Sequence, residues 1–442
     1  MRKALAIGAM VWLLLLPASR GRFIAVADSQ AFMPGVIVVG GQPDRPVPPL
    51  GSRLAARGWR VARVLAPLAM LEVQVPVGQE QASVDELRHS GEVAFADLNY
   101  VARTADVLTP TDPGWANQWG PTQINVPAAW AVVTGTPQMV IATIDSGLQL
   151  THEDLASQRW LNAAEVPGNN LDDDLNGYVD DVNGWHFFQR WNGSTYAPDE
   201  NANVADDYGH GTHVAGIIAA AYNGTGVVGV APGVRVMPVK VIDQFGNATY
   251  SDIAAGIVYA VDNGARIINL SLGGEVDSPV LQEPIEYARL HDVLVIAATG
   301  NSGGSVLYPA AYDSVLAVAA TDISDHVAAF SNYGPEVDLA APGVDIYSTW
   351  CRPNILAATC DGSYYFTKSG TSMAAPHVSG AAALVWSRWP NFPANLIAQQ
   401  LRYTADDIEA AGQDVFSGFG RVNADRAVND LTLRLIYLPL VY

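Results

Sequence analysis

Basic residues are scarce in this chain: 24 Lys and Arg stand against 44 Asp and Glu in 442 residues, a formal net charge of −20. A surface so acidic repels phosphate backbones, which sets nucleic-acid binding aside. The deficit is uneven. Residues 1–106 hold 11 of the basic and 9 of the acidic residues, which leaves 13 and 35 for the rest. Long apolar runs are missing after the N-terminus; no later segment has 18 uninterrupted apolar residues, so nothing there should span a membrane. The N-terminus joins Arg2 and Lys3 to "ALAIGAMVWLLLLP", the charged region and apolar core of an export signal. Ala25–Ala27, or Ala18 and Ser19, offer a cleavage point, and a buried N-terminal helix is the alternative. Cysteine is scarcest, with Cys351 and Cys360 alone. In an exported chain a pair this close reads as a disulfide before a metal or redox site, with two free thiols as the other reading. Low-complexity runs are absent, and 49% hydrophobic content provides for a large core.

What is present divides into two regions. Between about residues 34 and 104, "GVIVVG", "MLEVQVPV" and "EVAFADLNYV" read as strands separated by helical segments, a small α+β unit. "TPTDPG", Thr109 to Gly114, is a boundary of turn residues. Beyond it, continuous apolar strands such as "MVIATID", "ARIINLSL" and "VLVIAATG" alternate with helices such as "THVAGIIAAA". Strands buried on both faces and joined by helices predict an α/β fold with a parallel sheet, whose chemistry gathers beyond the carboxyl ends of the strands. The final "LTLRLIYLPLVY" is too short to span a membrane and is expected to form a terminal strand.

Three polar residues occupy such places. Asp145 ends "MVIATI", His210 lies in "YGHGTHVAG" at a helix entry, and Ser372 lies in "SGTSMAAPHVSG", a helix start made awkward by Pro376. Serine nucleophiles need a base, an acid that orients the base, and donors for the oxyanion. Asn301 in "AATGNSG" could supply one donor and the Ser372 N–H, free in a first turn, the other. Taken singly, such residues are turn, packing and N-cap residues. Their order, their glycines and their shared location at strand ends favour the joint reading. The order Asp, His, Ser and the context "GTSMA" also separate the chain from serine hydrolases built on G-x-S-x-G.

"IDSGLQLTHEDL", "GHGTHVAGIIAA", "INLSLGG", "AATGNSG" and "SGTSMAAPHVSG" resemble the signature blocks of the subtilisin-like serine proteases, the subtilase family. The resemblance runs from about Asp112 to Val428, and "TDPGWANQWGPTQINVPAAW" places it nearest the thermitase-like branch. It implies a three-layer parallel-sheet catalytic domain with Asp145, His210 and Ser372 as triad and Asn301 lining the oxyanion hole. Ser271, Leu272 and Gly273 would pair with the substrate backbone, with Gly246 and Asn247 on the facing edge. Ala298, Thr299 and Gly300 would wall the pocket for the residue before the cut. Leu307 lies near its floor, so apolar or aromatic side chains are expected there rather than basic ones.

The resemblance also implies a signal peptide (1–27), an inhibitory α+β propeptide (28–106), the catalytic domain (107–428) and a C-terminal extension (429–442). The product would be a secreted, self-processed, monomeric endopeptidase acting on proteins and peptides, with its propeptide as intramolecular inhibitor. Processing is expected between Val101 and Thr109. Ca2+ is expected at two places, and the residues around Tyr312 resemble a weaker cation site of the family. Asp154 resembles a ligand of the family's tight site. "LDDDLNGYVDD" resembles half a calcium loop, with Asp172, Asp174, Asn176, the Tyr178 carbonyl and Asp180 as ligands, Gly177 at the turn, and Asn183 where a glutamate is usual. A solvated acidic loop is the alternative. "GTGVVG", Gly224 to Gly229, follows a helix and enters a strand, the reverse of a dinucleotide fingerprint. Two rival functions are an inactive homologue serving as a scaffold and a secreted esterase of another fold. The complete triad opposes the first, and the chain order opposes the second.

Overall fold

The computed structural model describes residues 32–41, 47–65, 68–100, 109–191, 194, 196–354 and 359–430. The expected signal peptide, residues 101–108 of the expected processing region and the chain from 431 onward lie outside the described residues. The chain divides into two compact units, Met1–Thr104 and Ala105–Tyr442.

The first unit has β1 (Phe32–Gly40), α1 (Val47–Ala56), β2 (Arg60–Leu65), β3 (Met70–Gln74), α2 (Glu80–Ser90) and β4 (Phe95–Tyr100). Its strands form one antiparallel sheet in the order β2-β3-β1-β4. Ile37, Val39, Leu71 and Val73 alternate onto the face that Leu54, Val84 and Leu87 of the helices cover. This is the α+β unit the sequence predicts.

The second unit begins with two short helices, α3 (Trp119–Gln123) and α4 (Val126–Trp130). It continues through β5 (Val140–Asp145), β6 (Trp185–His186), the β7 (Gln189–Trp191) and β8 (Tyr196–Pro198) hairpin, α5 (His210–Ala219), β9 (Arg235–Lys240) and α6 (Tyr250–Asp262). Then come β10 (Ile267–Leu270), α7 (Pro279–Leu290), β11 (Leu294–Ala298), β12 (Val315–Thr321), β13 (Val337–Pro342), and a hairpin of β14 (Ile346–Asn354) and β15 (Thr359–Lys368). Helices α8 (Thr371–Arg388), α9 (Ala394–Tyr403) and α10 (Ala424–Asn429) close it. Seven strands make a parallel sheet in the order β13-β12-β11-β10-β5-β9-β6. Successive side chains serve opposite cores. In β11, Leu294, Ile296 and Ala298 join the layer of α5 and α8, while Val295 and Ala297 join that of α6 and α7. Three layers result, and the strands read as unbroken apolar runs because neither face meets water.

Strand β5 is where the order turns: β9 lies on one side of it, and β10 to β13 run away on the other. A crevice opens beyond the carboxyl ends at such a point. Asp145 is the last residue of β5.

Candidate active site

Asp145 is fully buried, and one carboxylate oxygen does two jobs. Its Oδ1 accepts the Ser146 N–H (2.7 Å) and the His210 Nδ1–H (2.8 Å). A carboxylate can only accept, so the imidazole proton sits on Nδ1 and Nε2 keeps its lone pair. His210 opens α5 after Gly209, whose φ of +90° and whose packing exclude a side chain: a Cβ there would lie 2.8 Å from the Trp350 ring. Trp350 belongs to the β14–β15 hairpin, which is stitched to the same helix. Ser348 Oγ donates to His213 O, Thr349 Oγ1 to Thr212 O, and His213 Nε2 bonds Phe366 O. The hairpin is crosslinked by the Cys351–Cys360 disulfide.

Ser372 is the second residue of α8. Its N–H faces no intrahelical carbonyl, being in the first turn. Pro376 lacks the N–H that would bond the carbonyl four residues earlier, that of Ser372. The Ser271 hydroxyl takes that place, donating to Ser372 O at 2.9 Å. The awkward helix is thus tied to the end of β10. Asn301 receives a similar tie: its Oδ1 accepts the N–H (2.8 Å) and hydroxyl (3.0 Å) of Thr371, which fixes the amide and leaves its NH2 group unengaged. The Ser372 hydroxyl donates to Ser271 O at 3.1 Å and not to His210. The serine-to-base link is therefore unmade in this geometry, and a rotation of the Ser372 side chain is needed to form it. Helices α5 and α8 pack in one core through Val214, Ile218, Met373 and Val378.

Residues Ser271–Gly273 continue from β10 and Ala298–Gly300 close β11, its neighbour in the sheet. Gly300 N–H bonds the Thr371 hydroxyl, and Leu307 N–H bonds Thr299 O. Leu307 fills the space between the two strand ends. A Cβ on Gly273 would meet its Cβ at 3.0 Å, and one on Gly300 would meet its side chain at 2.8 Å. Gly246 and Asn247 form a turn closed by Asp243, and Gly246 sits against the ring of Tyr208, two residues before His210.

The acidic residues fall into two groups. Asp154 is fully buried, and burial raises its carboxyl to about 6. It accepts the Val227 N–H (2.9 Å), the Tyr365 hydroxyl (3.0 Å) and the Asn223 amide (3.2 Å). Asp112 lies on the other side of Asn223: its Oδ1 accepts the N–H groups of Asn223, Gly224 and Thr225, while its Oδ2 is buried with no partner. Two buried carboxylates, one holding an orphaned oxygen, fit a hard cation with oxygen ligands. Sequence reasoning missed Asp112. Its signal was its place in the turn "TDPG", which a ligand search confined to spaced acidic motifs passes over.

In the insert, one carboxylate oxygen each from Glu165, Asp172 and Asp174 lie within 4.8 Å of one another. Glu165, which stands outside the "DDDLNG" spacing, supplies a carboxylate that the loop lacks at Asn183. Its Oε1 also accepts the Asp173 and Asp174 N–H groups. Asp172 accepts the Asn176 and Gly177 N–H groups, as a turn of this type requires. Two further expected ligands stand outside this trio and likewise accept backbone N–H groups. The Asp180 carboxylate accepts the N–H groups of Gly168, Asn169 and Asn170, and Asn176 Oδ1 accepts the Tyr178 N–H. The insert is anchored by Asp181, fully buried, which receives the Tyr259 hydroxyl (2.6 Å) and the Asn162 amide (2.8 Å).

Comparison with known proteins shows the family. The sequence model described as "Subtilase family" matches residues 136–420. The chain is 38% identical over 356 residues to a thermophilic serine proteinase of Bacillus sp. (strain AK1), covering 80% of this chain and 77% of that protein. It is 40% identical over 323 residues to thermitase of Thermoactinomyces vulgaris, covering 72% and 99%. A solved structure of a protease from Pseudoalteromonas arctica PAMC 21717 superposes with a TM-score of 0.61 at 30% identity, covering 73% of this chain and 99% of that one.

Proposed function

The chain belongs to the subtilase family, in its thermitase-like branch, and is a serine endopeptidase; from that premise we propose how its residues divide the work. Ser372 is the nucleophile, His210 the base, Asp145 the group that holds the base, and Asn301 with the Ser372 N–H the oxyanion donors. Ser372 Oγ adds to the scissile carbonyl carbon as its proton passes to His210 Nε2, and the carbonyl π pair becomes an oxyanion held by the two donors. Collapse breaks the C–N bond, and His210 returns the proton to the leaving amine. Water, deprotonated by the same nitrogen, then releases the acyl group and regenerates the serine. The 2.8 Å Asp145–His210 bond carries this reading, because it fixes the tautomer that makes Nε2 a base. Ser271–Gly273 and the Gly246–Asn247 turn would clamp the substrate backbone as an added strand.

The protein is made as a secreted zymogen, with residues 1–27 as signal, 28–106 as self-inhibiting propeptide, 107–428 as catalytic domain and 429–442 as an extension. Among the described residues no helix is long and apolar enough to cross a membrane. N-terminal sequencing of the secreted protein tests this beside a Ser372→Ala variant. The active chain should begin between Val101 and Thr109, and the variant should keep its propeptide. An identically processed variant would refute self-processing.

Calcium would be held by Asp112, Asp154 and Asn223 at one place, and by Glu165, Asp172 and Asp174 at the other. Its charge would neutralise carboxylates that now face one another. An organised pair of sites with buried carboxylates supports this over a solvated acidic loop.

A further inference from the structure

Lys240 is the last residue of β9, whose other charged residue, Arg235, stands at the opposite end; it is only 4% exposed and in register with Asp145 on the neighbouring strand. Its ammonium group is fully engaged: Nζ donates to Asp207 Oδ1 (2.6 Å), Ser146 O (2.7 Å) and Ile242 O (3.1 Å). Each acceptor lies beside a functional element. Ser146 follows Asp145, and its N–H and hydroxyl serve the same cluster, the N–H on Asp145 Oδ1 and the hydroxyl on Asp206. Asp207 precedes His210 by three residues. Ile242 leads into the turn that holds Gly246 and Asn247.

We propose that Lys240 is a positioning residue that ties the segments carrying Asp145 and His210 together, and that its pairing with Asp207 sets the pH at which the base works. The inference rests on the reading of Asp145 and His210 as the catalytic dyad. Buried ammonium groups are costly without a partner, and three neutral donors could have tied the same segments. A lysine adds a charge that the dyad feels. Asp207, itself only 9% exposed, cancels it, although burial pushes the Asp207 carboxyl upward. A cation near a base opposes its taking up a proton, so unmasking Lys240 should move the acid limb of activity to lower pH. Other charged or titratable groups surround the dyad: Asp145 from β5 bonds His210, Tyr208 lies beside its ring, Asp206 accepts the Gly209 N–H, and His213 from α5 and Lys368 from β15 lie within electrostatic reach of His210 and of Asp145 respectively. None changes in the variants below, so a shift belongs to the pair.

The test is the pH dependence of kcat/KM on a chromogenic peptide for the full chain carrying Asp207→Asn, Lys240→Met with Asp207→Asn, and His210→Ala. Asp207→Asn should move the acid limb down by about half to one pH unit with KM little changed. Adding Lys240→Met should bring the limb back, because the site is neutral again, while kcat falls several-fold as the segments loosen. A limb that stays put or moves up in Asp207→Asn overturns the inference, as does a shift that survives in the double variant. If the double variant does not fold, the single variant and Lys240→Arg decide: the arginine keeps the charge and must keep the wild-type limb. An active His210→Ala enzyme would instead overturn the dyad itself, which separates the two failures.

Discussion

The triad region and the acidic insert between Leu161 and Asn201 hold their polar groups by opposite means. Asp145, His210 and Ser372 are carried by elements that are buried nearly end to end. Apolar packing there decides where the charges sit. In the insert, Leu171 and Leu175 lie open to water at 59% and 86%, and carboxylates of Glu165, Asp172 and Asp180 cap the backbone that carries them. Charges there decide where the backbone sits. The second arrangement gathers like charges that repel until something neutralises them.

Breaking an oxyanion donor should produce the largest effect on the first region. Asn301→Leu is expected to lower kcat by 10²–10³, about 2.7–4 kcal/mol, with KM nearly unchanged; that size is known for this family rather than derived from this geometry. A loss below about threefold would remove Asn301 from the catalytic assembly.

Chelation should strike the second region and spare the first. With EDTA the melting temperature should fall by an amount worth about 3 kcal/mol, as expected for a cation bound at 100 to 1,000 times its dissociation constant. At temperatures well below the melt, kcat should not change. An unmoved melting temperature would leave the carboxylate groups as solvated surface.

The proposed triad was legible because motif and position coincide: Asp145 ends an apolar strand, and His210 and Ser372 begin helices bracketed by glycines. The parallel sheet was legible for the same physical reason, unbroken apolar strands needing cover on both faces. Contacts between distant segments were not. No spacing announces that the Ser271 hydroxyl supplies what Pro376 withholds, or that Glu165 joins Asp172 and Asp174. Nor does any spacing announce that Lys240, the charge closing "RVMPVK", is buried against Asp207.

Leu307 sharpens the comparison at the substrate's end. The sequence suggests a pocket for apolar or aromatic side chains, but Leu307 already fills the gap between Gly273 and Gly300. Small apolar residues should be preferred before the cut. Leu307→Gly should raise the ratio of kcat/KM for phenylalanine over alanine peptides by roughly 10- to 100-fold, the span that methylene-sized changes in such pockets produce. A wild-type preference for phenylalanine would count against it.

Buried histidines give the most gradual effect. His213 and His377 lie in the core, where burial lowers them from 6.5 to about 3 and about 4. As pH falls below 6.5 the unfolded chain binds protons that the folded one refuses. Stability should therefore be lost between pH 6.5 and about 4, at about 1.4 kcal/mol per pH unit for each histidine. Denaturant melts of His377→Gln should show a shallower slope by that amount, and an unchanged slope would mean the ring is not held neutral.

The most direct test of the assembled triad is labelling with a serine-directed phosphonate, read by peptide mass spectrometry. The wild-type enzyme should take one label, on Ser372, with loss of peptidase activity in proportion, and His210→Ala should take it far more slowly. Labelling of another serine, or equal labelling without His210, would contradict the account.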